Sequence, residues 1–279
     1  MSSGLDIALI QTRTPATPEA ALSHVEPLIR QAAAEGAKFI LTPEVTNFVE
    51  QRRDRRGLST TDEDQDIVVQ GLRRLAAELG VWLLIGSAIV RSGHEGDDRA
   101  ANRSLLIDAG GGIVGRYDKL HVFDVDLANG ETYRESATIR PGDGATVAGT
   151  PWGRLGMAVC YDIRFPHLFR QLAKAGAAMI SVPAAFTVPT GEAHWETLLR
   201  ARAIETGAFI LAPAQGGTHE DGRKTWGRST VVGPWGEVLA KADNDAPGVL
   251  HARLDFGAVE KARGSVPALK HDRDFAPPL

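Results

Sequence analysis

The chain has 279 residues, 43% hydrophobic and 24% charged, and its 31 Lys and Arg against 35 Asp and Glu give a net charge of −4. That balance is globular and excludes a disordered or fibrous chain, and no Lys/Arg-rich run supplies the basic stripe of a nucleic-acid binder. Cys160 is the only cysteine, which excludes an internal disulfide and a Cys-built zinc cluster. A lone cysteine fits a reducing compartment, so a cytoplasmic location is expected. No apolar run reaches the roughly 18 residues of a membrane helix. Met1 to Asp6 carries neither a basic n-region nor a long h-region, so no signal peptide is expected.

The elements follow in chain order. Ile7 to Ile10 reads as a strand. Thr17-Pro18 then reads as an N-cap with proline at N1, and Leu22, Val25, Ile29 and Ala32 keep helical spacing up to Gly36. Pro27 predicts a kink in that helix. Phe39 to Leu41 is a strand ending at Pro43-Glu44. The charged stretch Gln51 to Asp66 reads as a solvated loop. Val68, Leu72, Leu75 and Leu79 mark a second helix closed by Gly80, and Val81 to Val90 is a strand buried on both faces. Ser104 to Ile107 and Ile113 to Tyr117, joined through Gly110-Gly111-Gly112, read as a hairpin with Lys119 just past its end.

The second half repeats this order. Arg154 to Val159 is a strand ending at Cys160, and helices are predicted over Pro166 to Ala175 and Glu192 to Thr206. Strands cover Met179 to Val182 and Phe209 to Leu211. A hairpin joins Ser229–Val232 to Glu237–Ala240, and Val249 to Leu254 is the last strand. The tail from Phe256 shows no clear period. Strands alternating with helices in two similar halves predict an α/β fold, a four-layer αββα sandwich of two mixed sheets with helices outside. Only the loop Pro141 to Gly153 separates the halves, so one domain is expected over 1–279, with a core of about 5–255 and a tail over 256–279.

Three strand ends carry chemistry. Cys160, in Val159-Cys160-Tyr161-Asp162-Ile163-Arg164-Phe165-Pro166, is placed as a nucleophile, with the Tyr161 N–H as an oxyanion donor. A buried structural cysteine is the other reading. Glu44, in Leu41-Thr42-Pro43-Glu44, could take the thiol proton, or it is a surface carboxylate capping the next loop. Lys119, in Tyr117-Asp118-Lys119-Leu120-His121, could stabilise an oxyanion, or it is a solvated loop lysine. His121, His167 and His194 are the histidines to test for a Cys–His pair, with His121 a candidate support for the Lys119 loop. His121, Asp124 and Asp126 are close in sequence but read as a mixed-charge loop, not a metal site.

These three motifs, in this order and spacing, resemble the signatures of the nitrilase, or carbon–nitrogen hydrolase, superfamily over about Leu5 to Phe275. The resemblance implies the αββα fold and a Glu-Lys-Cys triad carried over to Glu44, Lys119 and Cys160. A second glutamate that assists in the site carries over to Glu135, in Tyr133-Arg134-Glu135-Ser136. It further implies a covalent thioester mechanism on a small-molecule amide substrate, with no cofactor and no metal. The family commonly forms homodimers, and the tail from Phe256 could reach across a partner; neither nucleic acid nor membrane is an expected partner.

Thr190 to Thr206 and Gly233-Pro234-Trp235-Gly236-Glu237-Val238 look like the amidase branch that holds omega-amidase and deaminated-glutathione amidase. Ala212 to His219 resembles the deaminated-glutathione group more. Val45-Thr46-Asn47-Phe48 lacks the Pro-Tyr associated with omega-amidases. Substrates of this branch are carboxylates, so Arg164 is a candidate for bidentate carboxylate binding, with a structural ion pair as its other reading. The alternatives are an omega-amidase acting on α-ketoglutaramate, an aliphatic amidase or nitrilase, and a non-catalytic metabolite-binding protein on the same fold.

Overall fold

Side chains of β1 (Leu5–Gln11) alternate between two cores, and that alternation sets the layering. Ile7 and Leu9 join the core between the sheets, whereas Ala8 and Ile10 join the core beneath the first pair of helices. The computed structural model describes residues 4–50, 57, 59–127 and 130–276. From β1 the chain runs through α1 (Pro18–Ala34), β2 (Phe39–Leu41), α2 (Ile67–Leu79), β3 (Trp82–Arg91), β4 (Ala100–Ile107) and β5 (Ile113–Asp118). A small hairpin, β6 (Asp124–Asp126) and β7 (Thr132–Arg134), follows. The second half holds β8 (Thr146–Thr150), β9 (Gly153–Met157), α3 (Pro166–Lys174), β10 (Ala177–Ser181), α4 (Val188–Thr206) and β11 (Phe209–Ala212). Then come the hairpin β12 (Gly216–Thr218) and β13 (Lys224–Trp226), β14 (Thr230–Val232), β15 (Val238–Lys241), β16 (Gly248–Leu254) and α5 (Gly257–Ser265).

Two six-stranded sheets result, ordered β16-β1-β2-β3-β4-β5 and β15-β14-β11-β10-β9-β8. In each, three parallel strands are flanked on both sides by antiparallel ones: β1, β2 and β3 in the first, β9, β10 and β11 in the second. The halves therefore match strand for strand, β8-β9-β10-β11-β14-β15 answering β16-β1-β2-β3-β4-β5. The predicted four-layer sandwich of mixed sheets is the fold observed. Met157, Met179 and Leu211 of the second sheet share the central core with Leu9, Leu41 and Leu84 of the first.

Local chemistry explains most element ends. Thr17 caps α1 with Pro18 at the start, and Asp66 caps α2 by accepting from Val68 N and Val69 N, both at 2.9 Å. A cap of this kind contributes about 1 kcal/mol. Gly80 closes α2 in the left-handed conformation that glycine takes freely. Pro27 lies within α1, which continues to Ala34.

Several expectations need correction. α4 begins at Val188, four residues before the predicted start, because Pro189 falls in its first turn, where a missing N–H costs nothing. The loop Pro141 to Gly153 contains β8, an edge strand with only Ala148 buried and therefore no alternating pattern to read. The tail is not aperiodic throughout. α5 buries only Val259 and Ala262, too narrow a stripe to stand out in the sequence, and Arg170 and Lys174 of α3 hold Asp272 beyond it. Of the charged stretch 51–66, residues 51–56 and 58 lie outside the described residues. Gly57 and Ser59 are helical, and residues 63–65 form a turn.

Candidate active site

Glu44, Lys119, Glu135 and Cys160 line one cavity of about 250 Å³. Each arrives just beyond a strand, at the end of the sheets where a parallel strand or hairpin runs out. Glu44 follows β2, on a segment held close to the first sheet. Thr42 Oγ1 accepts from Gly86 N at 3.0 Å, and Val45 N donates to Ser87 Oγ at 2.9 Å. Gly86 is required here, since a Cβ would stand 2.0 Å from the Thr42 carbonyl oxygen. Gln215 Nε2 donates to the Glu44 carbonyl at 2.9 Å from the opposite half.

Lys119 follows β5 and is only 2% exposed, so it is not a solvated loop lysine. Its Nζ donates to Glu44 Oε1 at 2.8 Å and to Glu135 Oε2 at 2.9 Å and Oε1 at 3.1 Å. Glu44, 4% exposed, is equally far from the surface carboxylate of the other reading. Asn102 Nδ2 bridges the same two carboxylates, to Glu44 Oε1 at 3.0 Å and Glu135 Oε1 at 3.2 Å. Ala185 N donates to Glu44 Oε2 at 2.9 Å, and Phe123 N to Glu135 Oε2 at 2.6 Å. Burial costs these charges heavily, and the mutual pairing and hydrogen bonds offset it.

Cys160 opens a 3₁₀ turn over Cys160–Arg164 and has φ +50, in the left-handed region that a residue with a Cβ rarely adopts. The Cys160 N–H is taken by Pro183 O at 2.9 Å. Asp162 locks the turn from below. It accepts from Val159 N at 2.8 Å, Tyr117 Oη at 2.7 Å, and His121 N and Nδ1 at 3.0 and 2.7 Å. One carboxylate therefore ties the Cys160 turn to the strand and loop that carry Lys119. His121 supports that loop, with its ring stacked 3.5 Å from Phe165. Among the described residues no histidine lines the cavity, so a Cys–His pair has no support. Asp124 is engaged by Ser136 and Asp126 by Arg134, whereas His121 bonds to Asp162.

The protonation states follow from these contacts. Burial pushes the Cys160 thiol well above its usual range, and the Glu44 charge adds to this against the opposing pull of Lys119. Burial also pushes the Glu44 carboxyl up, but the charge and hydrogen bond of Lys119, with the Cys160 hydrogen bond and the Arg223 charge, outweigh it and leave it lowered. Burial lowers Lys119, and the charges of Glu135 and Glu44 more than reverse that, raising it well above the ordinary lysine range. The resting site is thus a thiol facing an ionised carboxylate, beside a fixed ammonium.

Arg164 lines the cavity, and Nη2 donates to His194 Nδ1 at 3.2 Å. Its guanidinium carbon lies 5.6 Å from the Phe186 ring centre and 6.0 Å from that of Tyr161. Among the described residues no carboxylate forms an ion pair with it, so the structural ion pair is not what holds it. Tyr161 also lines the cavity, and its N–H, in the first turn of the 3₁₀ segment, meets no protein acceptor among the described residues. Sequence reasoning missed Asn102, Ala185 and Arg223. Only Asn102 left a signal, a fully buried amide in the apolar strand β4, and the predicted strand began two residues too late to include it.

A buried cysteine, lysine and glutamate cluster at the strand ends of an αββα sandwich is thus what the fold and the cavity define together. The family model for carbon-nitrogen hydrolase matches residues 6–264, and the chain belongs to that family. It is 42% identical over 269 residues to a deaminated glutathione amidase of Yersinia enterocolitica, covering 96% of this chain and 93% of that one. A human protein of the same name is 38% identical over 248 residues, covering 88% of this chain and 75% of the other. The C. elegans NitFhit protein superposes with a TM-score of 0.88 at 33% identity, covering 98% of this chain; the chain spans 66% of that longer protein. A mutant amidase from Nesterenkonia sp. AN1, carrying the acetamide moiety of fluoroacetamide on its active-site cysteine, superposes with a TM-score of 0.78 at 27% identity and 95% coverage of each chain.

Proposed function

We propose that this enzyme hydrolyses the amide of a small keto-acid-type substrate, deaminated glutathione being the favoured one, through a thioester on Cys160. The observation that carries the reading is the convergence of Cys160, Glu44, Lys119 and Glu135 on one cavity, with the Lys119 ammonium paired to both carboxylates. The names of the relatives support the substrate class.

Glu44 accepts the Cys160 proton as Sγ attacks the amide carbonyl carbon. Negative charge develops on the carbonyl oxygen, where the Lys119 ammonium and the Tyr161 N–H stabilise it. Protonated Glu44 then passes its proton to the amide nitrogen, the C–N bond breaks, and the amine leaves. A water molecule, deprotonated by Glu44, attacks the thioester, and Cys160 leaves and regains its proton. Glu135 touches Lys119 with both oxygens, which fixes the ammonium while Glu44 cycles between its two states. Arg164, cationic and without a carboxylate partner among the described residues, binds the substrate's α-keto carboxylate. A homodimer in the cytoplasm is part of this reading.

A substrate panel tests it: deaminated glutathione, α-ketoglutaramate, a simple aliphatic amide and an aliphatic nitrile, each with Cys160→Ala as control. Cys160-dependent cleavage of deaminated glutathione ahead of the others is expected. Turnover of only the plain amide or the nitrile would discard the substrate assignment and keep the Cys160 chemistry.

A further inference from the structure

The cavity holds a second guanidinium that the mechanism above does not use. Arg223 stands at the β12–β13 hairpin, between Gly222 and the start of β13, and lines the same cavity as Cys160. Its protein contacts are sparse for a half-buried arginine. Nη2 donates to Ala185 O at 2.8 Å, and Nε is buried with no partner. No carboxylate among the described residues is salt-bridged to it. Asp221, two residues earlier, spends Oδ1 on the Arg223 backbone N–H at 2.9 Å, and its Oδ2 is buried with no donor. A guanidinium with no salt-bridged carboxylate and a carboxylate oxygen with no donor, both lining the reaction cavity, are groups whose missing partners come from the substrate.

Position separates this arginine from Arg164. Arg164 belongs to the Cys160 turn and rests against Tyr161 and Phe186. Arg223 is bonded to Ala185, whose own N–H holds Glu44 Oε2, and its charge is felt by Glu44. Glu44 is the group that must protonate the departing nitrogen, so the side of the cavity tied to Glu44 is the leaving-group side. We infer that Arg223 binds a carboxylate on the amine half of the substrate, while Arg164 binds the one on the acyl half. The substrate class is then an amide with an anionic group on each side of the scissile bond, such as a keto acid joined to a short peptide with a free C-terminus. Asp221 Oδ2 accepts an N–H of that peptide. This inference rests on the reading given under Proposed function and adds the leaving-group half to it.

The test compares deaminated glutathione with its C-terminal carboxamide, which differs only in the distal charge. The wild-type enzyme is expected to favour the free acid in kcat/KM by about tenfold or more, the worth of one charge-assisted contact. In Arg223→Gln the acid-to-amide ratio should fall close to one; Arg223→Lys should restore part of it, and Arg164→Gln should slow both substrates while keeping the ratio. The ratio is insensitive to any general damage done by losing the Ala185 bond. Equal use of acid and amide by the wild type, or an Arg223→Gln enzyme that keeps the wild-type ratio, overturns the assignment. Cleavage of neither peptide, with a plain amide still turned over through Cys160, overturns instead the substrate reading beneath it.

Discussion

Around Lys119, one ammonium lies between two carboxylates, and Asn102, Ala185 and Phe123 supply further donors, so the charges there compensate one another. Around Arg164 and Arg223, two guanidiniums share the same cavity and meet a histidine nitrogen, aromatic faces and a backbone carbonyl, but neither is salt-bridged to a carboxylate among the described residues. On the proposed function, the difference separates two duties. A group that must hold one geometry through a reaction cycle is buried and saturated with partners. A group that must select an anion keeps its charge free for it. The compensated cluster should therefore be sensitive in both stability and turnover, and the arginines in substrate binding alone.

Four experiments break or sharpen that contrast. Cys160→Ala should lower turnover by at least about 10³-fold, ~4 kcal/mol of barrier, with the far-UV spectrum and Tm held. Comparable turnover in that variant would remove the nucleophile from the account. Lys119→Met should lower kcat by well over tenfold and also destabilise the fold by about 3–5 kcal/mol in urea titration, because two buried carboxylates lose their cation. A kcat loss of less than about tenfold, ~1.4 kcal/mol, would contradict an oxyanion role for Lys119. Arg164→Gln should raise KM for a keto-acid amide by about tenfold with little change in stability. An equal fall in Tm to that of Lys119→Met would erase the contrast.

The fourth concerns pH. Glu44 is held below its usual value of 4.5, so its ionised form, and the stability from pairing with Lys119, persists above that pH and is lost as pH falls through the lowered value. Lys119 is raised above 10.5, so its contribution is complete below that pH and fades only as pH rises through the raised value. The Cys160 thiol is raised above 9.0 and stays protonated at neutral pH. Alkylation of Cys160 by iodoacetamide without substrate should accordingly be slow at pH 7 and climb only above pH 9. A half-maximal rate near neutrality would indicate a preformed thiolate, with Glu44 already protonated.

The sequence made the parallel strands, the main helices and the three motif-bearing strand ends legible, because long apolar runs, Thr17-Pro18 and Gly80 are local signals. β8 and the two small hairpins were not, since their residues alternate in no clear pattern and the strands exist through pairing with distant segments. The same distinction runs through the site. Cys160, Glu44 and Lys119 sit where a strand stops, which a reader of the chain can see. Asn102 meets Glu44 across 58 positions and Ala185 meets it across 141, and only the packing of the two sheets against each other reveals those contacts. Arg223 lies in a polar stretch with nothing to distinguish it until the hairpin folds over the cavity.

The most direct test of the central claim is the mass of the enzyme caught in turnover. Wild type mixed with deaminated glutathione, quenched in acid within the first turnover and digested, should carry the keto-acid acyl group on the peptide that contains Cys160, and hydroxylamine should release it. Rapid product formation with no acyl group on Cys160 at any quench time, or with the group on another residue, would contradict the thioester and the roles given to Glu44 and Lys119 around it.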